Sequence, residues 1–290
     1  MRFAEIGQQL RAYRLDSGLR AEEIAARLGV SRAALYRYEK GEVIKLDTVK
    51  RLGELLKVSP LSLLGIGVEY YSRSVGYFER IRQIEESADQ VMQAAGSICY
   101  LTTSDSFDAA LADGLQEYAD TAGADRPAIR TSTDQILGIL QARKRMYQQR
   151  RFGIIAILSA DGIRTFVQHG ILPGLKLPDS LRARCRSVAL AEMQHIADLM
   201  DSEPMGLQFG LLASPDASNA FKILRSRDRA TLAVNPFRAD GVPMAQTGVA
   251  MITGADEAIA AHQRVAEAMW RDAVKGPAAA ARLREMLADA

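Results

Sequence analysis

Arg32, Ala33, Tyr36 and Arg37 combine residue types and spacing that suit contact with a polar ligand. On a helix of about 3.6 residues per turn they project outward together, while the intervening Leu35 is directed into a core. An arginine so placed can donate two hydrogen bonds to guanine, and an alanine can contact a thymine methyl group. The pattern predicts that these four side chains meet base edges in the major groove of DNA.

The residues around this helix must position it. Gly29 can take the positive φ that ends a preceding helix, and Ser31 can accept from the free N–H groups of the following one. Phosphate contacts are predicted for basic side chains of the same segment: Arg11, Arg20, Lys40 and Lys45. For Arg11 and Lys45, an ordinary solvated charge explains the sequence equally well.

Residues 3–65 resemble the Xre/Cro/phage-repressor family of helix-turn-helix regulators. The similarity includes a fourth helix over 46–58 and a short fifth helix over 59–64. The resemblance implies an all-α, lambda-repressor-like domain that binds double-stranded DNA, and it implies that Glu39 pairs with Arg14 of the first helix. The glutamines common at the family's base-reading positions are absent here, so the target sequence does not transfer. A helix-turn-helix kept only as an interaction module is the alternative.

The charge distribution agrees with a DNA-binding segment at this end of the chain. Residues 1–65 hold 12 Lys and Arg against 8 Asp and Glu, whereas the remainder holds 25 against 27. The basic excess lies where attraction to phosphate requires it. A length of 290 residues with 48% hydrophobic side chains is enough for two domains with real cores.

Two further observations concern the compartment. The opening residues 1–5 lack the apolar core of a secretory signal, and no run approaches the ~18 apolar residues of a membrane span. We therefore expect a cytoplasmic protein with no membrane partner. Cys99 lies in an apolar run and is predicted to be a buried hydrophobe, whereas Cys185 lies on a polar helix and could be exposed.

The larger part of the chain predicts an α/β domain. Strand and helix patterns alternate early and strands cluster late, which favours a mixed sheet covered by helices. A helix over 70–95 with one apolar stripe is predicted to link the domains and either to form a dimer contact or to cap the second core. The predicted domains are thus a helix-turn-helix domain at 1–66, a linking helix at 67–95 and an α/β domain at 96–290.

The predicted elements of the α/β domain follow from hydrophobic periodicity. The Asp161-Gly162 pair is a hairpin signal between two apolar runs. Helices are predicted at 106–122, 134–150, 181–200, 256–274 and 278–290. Strands are predicted at 97–102, 128–131, 152–158, 163–168, 207–212, 221–224, 230–234 and 249–252.

Common catalytic signatures are missing from this part of the sequence, including a G-x-S-x-G elbow, a Walker A loop and a C-x-x-C pair. Its order of strands and helices resembles phospholipase-D-like sensor domains, but none of its histidines begins the His-x-Lys motif that such hydrolysis needs. The turn at 102–105 is either an anion cradle or a simple N-cap. The basic run at 143–151 either complements a helix end or binds a second anion.

These observations predict a sequence-specific DNA-binding transcriptional regulator. We expect a homodimer without enzymatic activity, cofactor or metal, whose larger domain senses a small-molecule effector in an apolar pocket near Tyr100, Phe166 and Phe209. One alternative is a second domain that only dimerises or binds a protein, and another is an enzyme tethered to DNA. A deep apolar pocket favours the sensor, and a cluster of acid and base groups inside it favours the enzyme.

Overall fold

A computed structural model of the chain describes residues 3–121, 123–213, 220–237 and 248–288. The first five helices form a small all-α domain, with bounds Phe3–Ser17 (α1), Ala21–Leu28 (α2), Arg32–Glu39 (α3), Leu46–Leu56 (α4) and Pro60–Leu63 (α5). Each of α1 to α4 contributes a buried aliphatic side chain to its core: Leu10, Ile24, Leu35 and Leu52. Removal of such side chains from water stabilises the packing of these helices.

The turn between α2 and α3 has the geometry that the sequence predicted. Gly29 follows α2 with a φ of 71°, in the left-handed region where a side chain would be strained. Ser31 caps α3, because its hydroxyl accepts a hydrogen bond from the Ala34 N–H at 3.1 Å. Both ends of the turn are therefore set by local interactions, and α3 leaves it in a fixed direction.

The remainder of the described chain is built on one eight-stranded sheet. The strands are Val68–Tyr71 (β1), Gln90–Gly96 (β2), Gly153–Ser159 (β3), Leu207–Leu212 (β4), Phe221–Ser226 (β5), Arg229–Val234 (β6), Ala250–Thr253 (β7) and Val274–Lys275 (β8). Their spatial order is β1-β7-β6-β5-β2-β3-β4-β8. The neighbours β2 and β3, and β3 and β4, are parallel, and all other neighbouring pairs are antiparallel.

Helices cover both faces of this sheet, which confirms the predicted mixed α/β class. On the central strand β2, Val91 packs into the large core and Met92 packs into a smaller core with Ile259. Among the described helices, Asp256–Asp272 (α11) covers this second face of the sheet. The first face is covered by Ser74–Glu85 (α6), Asp105–Thr121 (α7), Arg126–Arg150 (α8), Ala160–His169 (α9), Asp179–Ser202 (α10) and Gly276–Ala288 (α12).

The predicted single helix over 70–95 is wrong. The structure divides this segment into β1, α6 and β2. Because β2 lies between β3 and β5 and is covered on both faces, its side chains are apolar on both sides and their period does not distinguish a strand from a helix. The apolar positions that predicted one helix therefore belong partly to α6 and partly to the central strand β2.

The helix α6 does not serve as an exposed linker. It lies between α1 of the first domain and α8, and ten of its twelve residues are buried. Its side chains and those of α1 belong to one continuous hydrophobic core. This burial removes α6 as the predicted dimer contact and makes it the element against which the helix-turn-helix domain is docked.

Three smaller predictions also need correction. The predicted strand 128–131 lies inside α8, and 97–102 follows the end of β2 and contains a 3-10 turn. The predicted strand 163–168 and the Asp161-Gly162 hairpin are instead α9. The Ser159 hydroxyl accepts from the Gly162 N–H at 3.3 Å, so the same residues that resembled a hairpin turn cap a helix.

The other predicted elements of the larger domain are present within two residues of their expected bounds, except that α8 begins well before 134. The terminal helix was predicted to reach residue 290, and its last two residues lie outside the described ranges. The confirmed helices are α7, α8, α10, α11 and α12, and the confirmed strands are β3, β4, β5, β6 and β7.

Candidate nucleic-acid interface

The outer face of α3 carries the predicted base-reading side chains. Arg32, Ala33 and Arg37 are exposed, and Tyr36 is half-buried. The opposite face is closed by Leu35, which is fully buried. A helix that buries one face and presents two guanidinium groups on the other has the arrangement needed for major-groove recognition.

Both exposed arginines of α3 are engaged within the domain. Arg32 Nη1 lies 2.8 Å from a Glu22 carboxylate oxygen, and its Nε and Nη2 donate to the Tyr36 hydroxyl at 3.3 Å. Arg37 Nε lies 2.8 Å from a Glu42 carboxylate oxygen. All four side chains of the two ion pairs are at least half-exposed, so each pair is weak and a nucleic-acid acceptor can replace the carboxylate at small cost.

The predicted phosphate contacts lie at the ends of the helices. Arg20 is the N-cap of α2, Lys40 is the C-cap of α3 and Lys45 is the N-cap of α4, and all three are exposed. The Glu23 carboxylate accepts a hydrogen bond from the Arg20 N–H at 2.9 Å, and this bond lowers the pKa of Glu23. Arg20 also forms an ion pair with that carboxylate at 3.2 Å.

Arg11 lies elsewhere. Its Nε donates to the buried carboxylate of Glu79 at 2.8 Å, in the contact between α1 and α6. The structure thus gives this arginine an interdomain partner, which the sequence did not suggest.

Arg14 and Glu39 form the ion pair that the family resemblance implied. Arg14 Nε and Nη2 lie 2.5 Å and 3.1 Å from the two carboxylate oxygens of Glu39, and both side chains are buried. A guanidinium and a carboxylate that meet through two parallel bonds are held in one orientation. The pair joins α1 to the end of α3 and thereby fixes the angle at which the recognition helix leaves the domain.

A second polar cluster, absent from the sequence predictions, docks the domain onto the sheet. Glu69 of β1 is buried and accepts from Arg80 Nε and Nη2 at 2.8 Å and 2.9 Å, from Tyr71 at 2.7 Å and from Gln9 of α1 at 2.8 Å. The rings of Tyr13 and Tyr71 stack with centroids 5.1 Å apart. Burial by itself lowers the pKa of Arg80, but the charge and hydrogen bonds of Glu69, together with the nearby Tyr71 and Tyr13, raise the pKa overall.

Asp16 provides a further link at the other end of α1. Its carboxylate accepts the backbone N–H groups of Ser72 and Arg73 at 3.2 Å and 2.7 Å, just before α6 begins. Burial raises the pKa of Asp16, although these hydrogen bonds act in the opposite direction. No local sequence motif predicts the contacts of Asp16 with Ser72 and Arg73 or of Gln9 with Glu69, because the partners lie 56 or more residues apart in the chain.

The side chains predicted to line an effector pocket are buried in the large core. The rings of Tyr100 and Phe166 both lie near that of Phe107, with centroids 6.1 Å and 6.5 Å from it. Phe209 lies on β4 and belongs to the same core. The Tyr100 hydroxyl donates to Asp108 at 3.0 Å.

The turn at 102–105 is filled by the protein's own carboxylate. Glu192 of α10 is buried and accepts the Ser104 N–H at 3.2 Å and 3.1 Å through its two oxygens, and it also accepts from the Ser104 hydroxyl. Of the two readings of this turn, the structure supports the N-cap, since the Ser104 hydroxyl accepts the Phe107 N–H at 3.3 Å.

Two of the five basic residues in the run at 143–151, Arg143 and Lys144, are buried, and the other three are exposed. Arg143 is fully buried and forms two hydrogen bonds to Glu85, at 2.8 Å and 2.7 Å. Lys144 is buried beside Asp108 at 2.5 Å. Arg150 donates to backbone carbonyls at the end of α6, including those of Glu85 and Ala88 at 3.3 Å and 3.2 Å. Arg143 and Lys144 therefore connect α8 to α6 and α7. Arg150 complements the carboxyl-terminal end of the α6 dipole.

Other residues singled out in the sequence have structural surroundings. Cys99 is buried, as predicted, and Cys185 is also buried, which corrects its expected exposure. His262 Nδ1 donates to the Ala258 carbonyl at 2.9 Å. Within the described ranges, no three His, Cys, Asp or Glu side chains gather as a metal ion would require.

Residues 5–63 match the family model of a helix-turn-helix domain. These residues span α1 to α5 and include the predicted base-reading side chains of α3 and the predicted phosphate contacts. A search of curated proteins finds no match to the chain. In the described part of the structure, no helix is both long and apolar enough to cross a membrane.

Proposed function

We propose that this chain is a sequence-specific transcriptional regulator of the Xre/Cro/phage-repressor type. The observation that carries the proposal is the helix-turn-helix match over residues 5–63, together with a recognition helix that leaves Arg32, Ala33 and Arg37 exposed. Arginines on that face have the geometry to discriminate guanine from other bases. The basic excess of residues 1–65 supports attraction to the phosphate backbone.

The regulator is proposed to act as a homodimer. One helix-turn-helix domain covers few base pairs, and two copies on half-sites ~34–36 Å apart reach the specificity that regulation needs. Because α6 is buried within the chain, another surface must form the dimer contact. Support comes from large apolar side chains that remain exposed on the first domain and on the edge strand β1: Val43, Leu46, Leu61, Ile66 and Tyr70.

The larger domain is proposed to receive an input and not to catalyse a reaction. Two of its buried basic groups are paired with carboxylates, Arg143 with Glu85 and Lys144 with Asp108. Groups satisfied in this way stabilise the packing of helices and are not free to transfer protons to a substrate. An effector would act by shifting the population of the DNA-competent state.

The direct test is selection of duplexes from a randomised DNA library with the full chain, followed by anisotropy titrations of the recovered sequence. We expect a recurrent motif with two half-sites and an affinity that falls steeply as salt is raised. A library that shows no enrichment, together with equal affinity for all duplexes, would overturn sequence-specific regulation. The matched control is the same titration with Arg164→Ala, which changes an exposed arginine on α9.

A further inference from the structure

The first domain and the sheet domain enclose a cleft of about 540 Å³. One wall consists of the end of α1, the start of α2 and Tyr36 of α3, and the other wall consists of the starts of α6 and α8. We propose that this cleft binds a small amphipathic organic anion, and that its occupancy controls DNA affinity. This inference rests on the proposed function, since it places the effector site of the regulator.

The volume and lining of the cleft suit a small ligand. Ligand sites commonly span ~300–1,000 Å³ and combine apolar walls with a few polar groups. Leu15, Leu19 and Val75 supply apolar surface, and Ser132 and Gln135 of α8 supply a hydroxyl and an amide. The lining thus offers surface for an apolar body and hydrogen-bonding groups for a polar end.

Arg73 supplies the charge that selects an anion. Its guanidinium lies directly against the backbone of Gly18, and its charge acts to lower the pKa of the neighbouring Asp16, but it forms no ion pair with a carboxylate of the described residues. The other arginines of the cleft, Arg14 and Arg20, are paired with Glu39 and Glu23. A carboxylate, sulfonate or phosphate group would complete the hydrogen bonding of Arg73.

The cleft is connected to the base-reading face through Arg32. The two groups that hold Arg32 within the domain are the Glu22 carboxylate at 2.8 Å and the Tyr36 hydroxyl at 3.3 Å. Both Glu22 and Tyr36 line the cleft. A ligand beside them changes the position or the electrostatic field of the groups that Arg32 must leave before it can reach a base, so ligand and DNA are coupled.

A covalent occupant tests this coupling without knowledge of the natural ligand. Ser132→Cys places a thiol in the cleft, whereas the native Cys99 and Cys185 are buried. We expect labelling of this variant with N-ethylmaleimide to change its Kd for the selected duplex at least fivefold. The matched control is Ser187→Cys, on an exposed position of α10, which should bind DNA equally before and after labelling.

The ligand class is tested with 8-anilinonaphthalene-1-sulfonate, an amphipathic aromatic anion whose fluorescence rises on binding. We expect one site per chain, an affinity at least tenfold weaker in Arg73→Ala and in labelled Ser132→Cys, partial recovery in Arg73→Lys, and no change in Arg164→Ala. Thermal melting of each variant shows whether it is folded, and Arg73→Gln replaces Arg73→Ala if the latter is not.

The outcomes separate the two claims. If labelled Ser132→Cys binds the selected duplex like unlabelled protein, or if the dye binds equally well to the Arg73 variants, the cleft proposal is wrong while DNA recognition stands. If the unmodified chain selects no duplex at all, the proposed function itself fails. A dye that binds at the cleft and shifts duplex affinity, with both effects lost in Arg73→Ala, establishes the site.

Discussion

Arg14 and Glu39 illustrate how a single buried pair positions a recognition surface. The carboxylate lies at the last residue of α3 and the guanidinium lies on α1, so the pair joins helices that are far apart in the sequence. Removing one partner leaves the other charge buried without compensation, which costs more than the intact pair contributes. The position of α3 therefore depends on both members.

We expect Arg14→Ala to lower the free energy of unfolding by about 3–5 kcal/mol, because the Glu39 carboxylate would remain buried and unpaired. Urea denaturation measures this change. Arg37→Ala is the matched control, since it breaks an exposed pair with Glu42 worth less than about 1 kcal/mol. Equal effects of the two substitutions would contradict the role assigned to the buried pair.

Arg32 is predicted to read a base edge. Arg32→Ala should weaken binding of the selected duplex by about 1–3 kcal/mol and relax the preference at one or two base pairs. Titration of duplexes that each differ at one position measures the preference. Arg20→Ala is the comparison, because a phosphate contact loses affinity equally for all sequences and reduces the salt dependence. A uniform loss for Arg32→Ala would assign it to the backbone instead.

At the scale of elements, the contact between α1 and α6 decides how the first domain is held. Glu79 of α6 is buried and accepts from Arg11 at 2.8 Å, from Arg82 at 2.9 Å and 3.0 Å, and from Gln83 at 3.1 Å. Gln83 in turn donates to the Gln8 carbonyl of α1 at 3.0 Å. Together with the Glu69 cluster, these bonds fasten one helix of the DNA-binding domain along its length.

This contact predicts a loss of stability in acid. Burial by itself raises the pKa of Glu79, but the hydrogen bonds and charge of Arg82, together with the charge of Arg11 and the hydrogen bond from Gln83, hold the pKa below its ordinary value of 4.5. The contribution of Glu79 is therefore fully present above pH 4.5 and is lost as the pH falls through its lower folded value. We expect Glu79→Gln to be less stable than the unmodified chain at pH 6 and to lose less stability between pH 4.5 and 3.

Urea denaturation at pH 6, 4.5 and 3 measures that dependence. Asp16 has the opposite effect on the pH dependence of stability. Its pKa is raised in the folded chain, so its ionisation opposes folding and its protonation in acid removes that cost. Asp161→Asn is the control, since Asp161 forms an exposed ion pair with Arg164 on α9. A parallel pH profile for Glu79→Gln and the unmodified chain would show that Glu79 does not carry the effect.

At the scale of the whole molecule, the DNA-binding domain and the sheet domain share one hydrophobic core. Side chains of α1, α4 and α5 and side chains of the sheet helices belong to the same buried cluster. A domain docked in this way does not search for DNA on a free tether.

We expect the chain to sediment as a dimer at micromolar concentration, and one dimer to bind one selected duplex with half-sites ~34–36 Å apart. Changing the spacing between the half-sites by five base pairs should weaken binding strongly, since the second domain would face the wrong side of the duplex. Sedimentation as a monomer, both with and without the duplex, would contradict the dimer.

Local signals explain which parts of this structure were predictable. The helix-turn-helix domain depends on contacts between near neighbours, such as the left-handed Gly29 and the Ser31 cap, and these are visible as residue types at fixed spacing. The class of the larger domain followed from the alternation of apolar runs. In contrast, β2 was misread because a central strand is apolar on both faces, and α9 was misread because the Asp161-Gly162 pair in its first turn is also typical of a hairpin.

The sequence by itself thus determined the first domain, its exposed arginines and the α/β class of the rest. Only the tertiary structure decided how the two parts meet, which of the basic residues are buried, and where a ligand-sized cleft lies. Glu69 finds Gln9 60 residues away, and Arg143 finds Glu85 58 residues away, so neither pairing leaves a periodic trace in the chain. Contacts of this kind arise only when the packing of the sheet and helices brings distant side chains together, and that packing is a property of the whole fold.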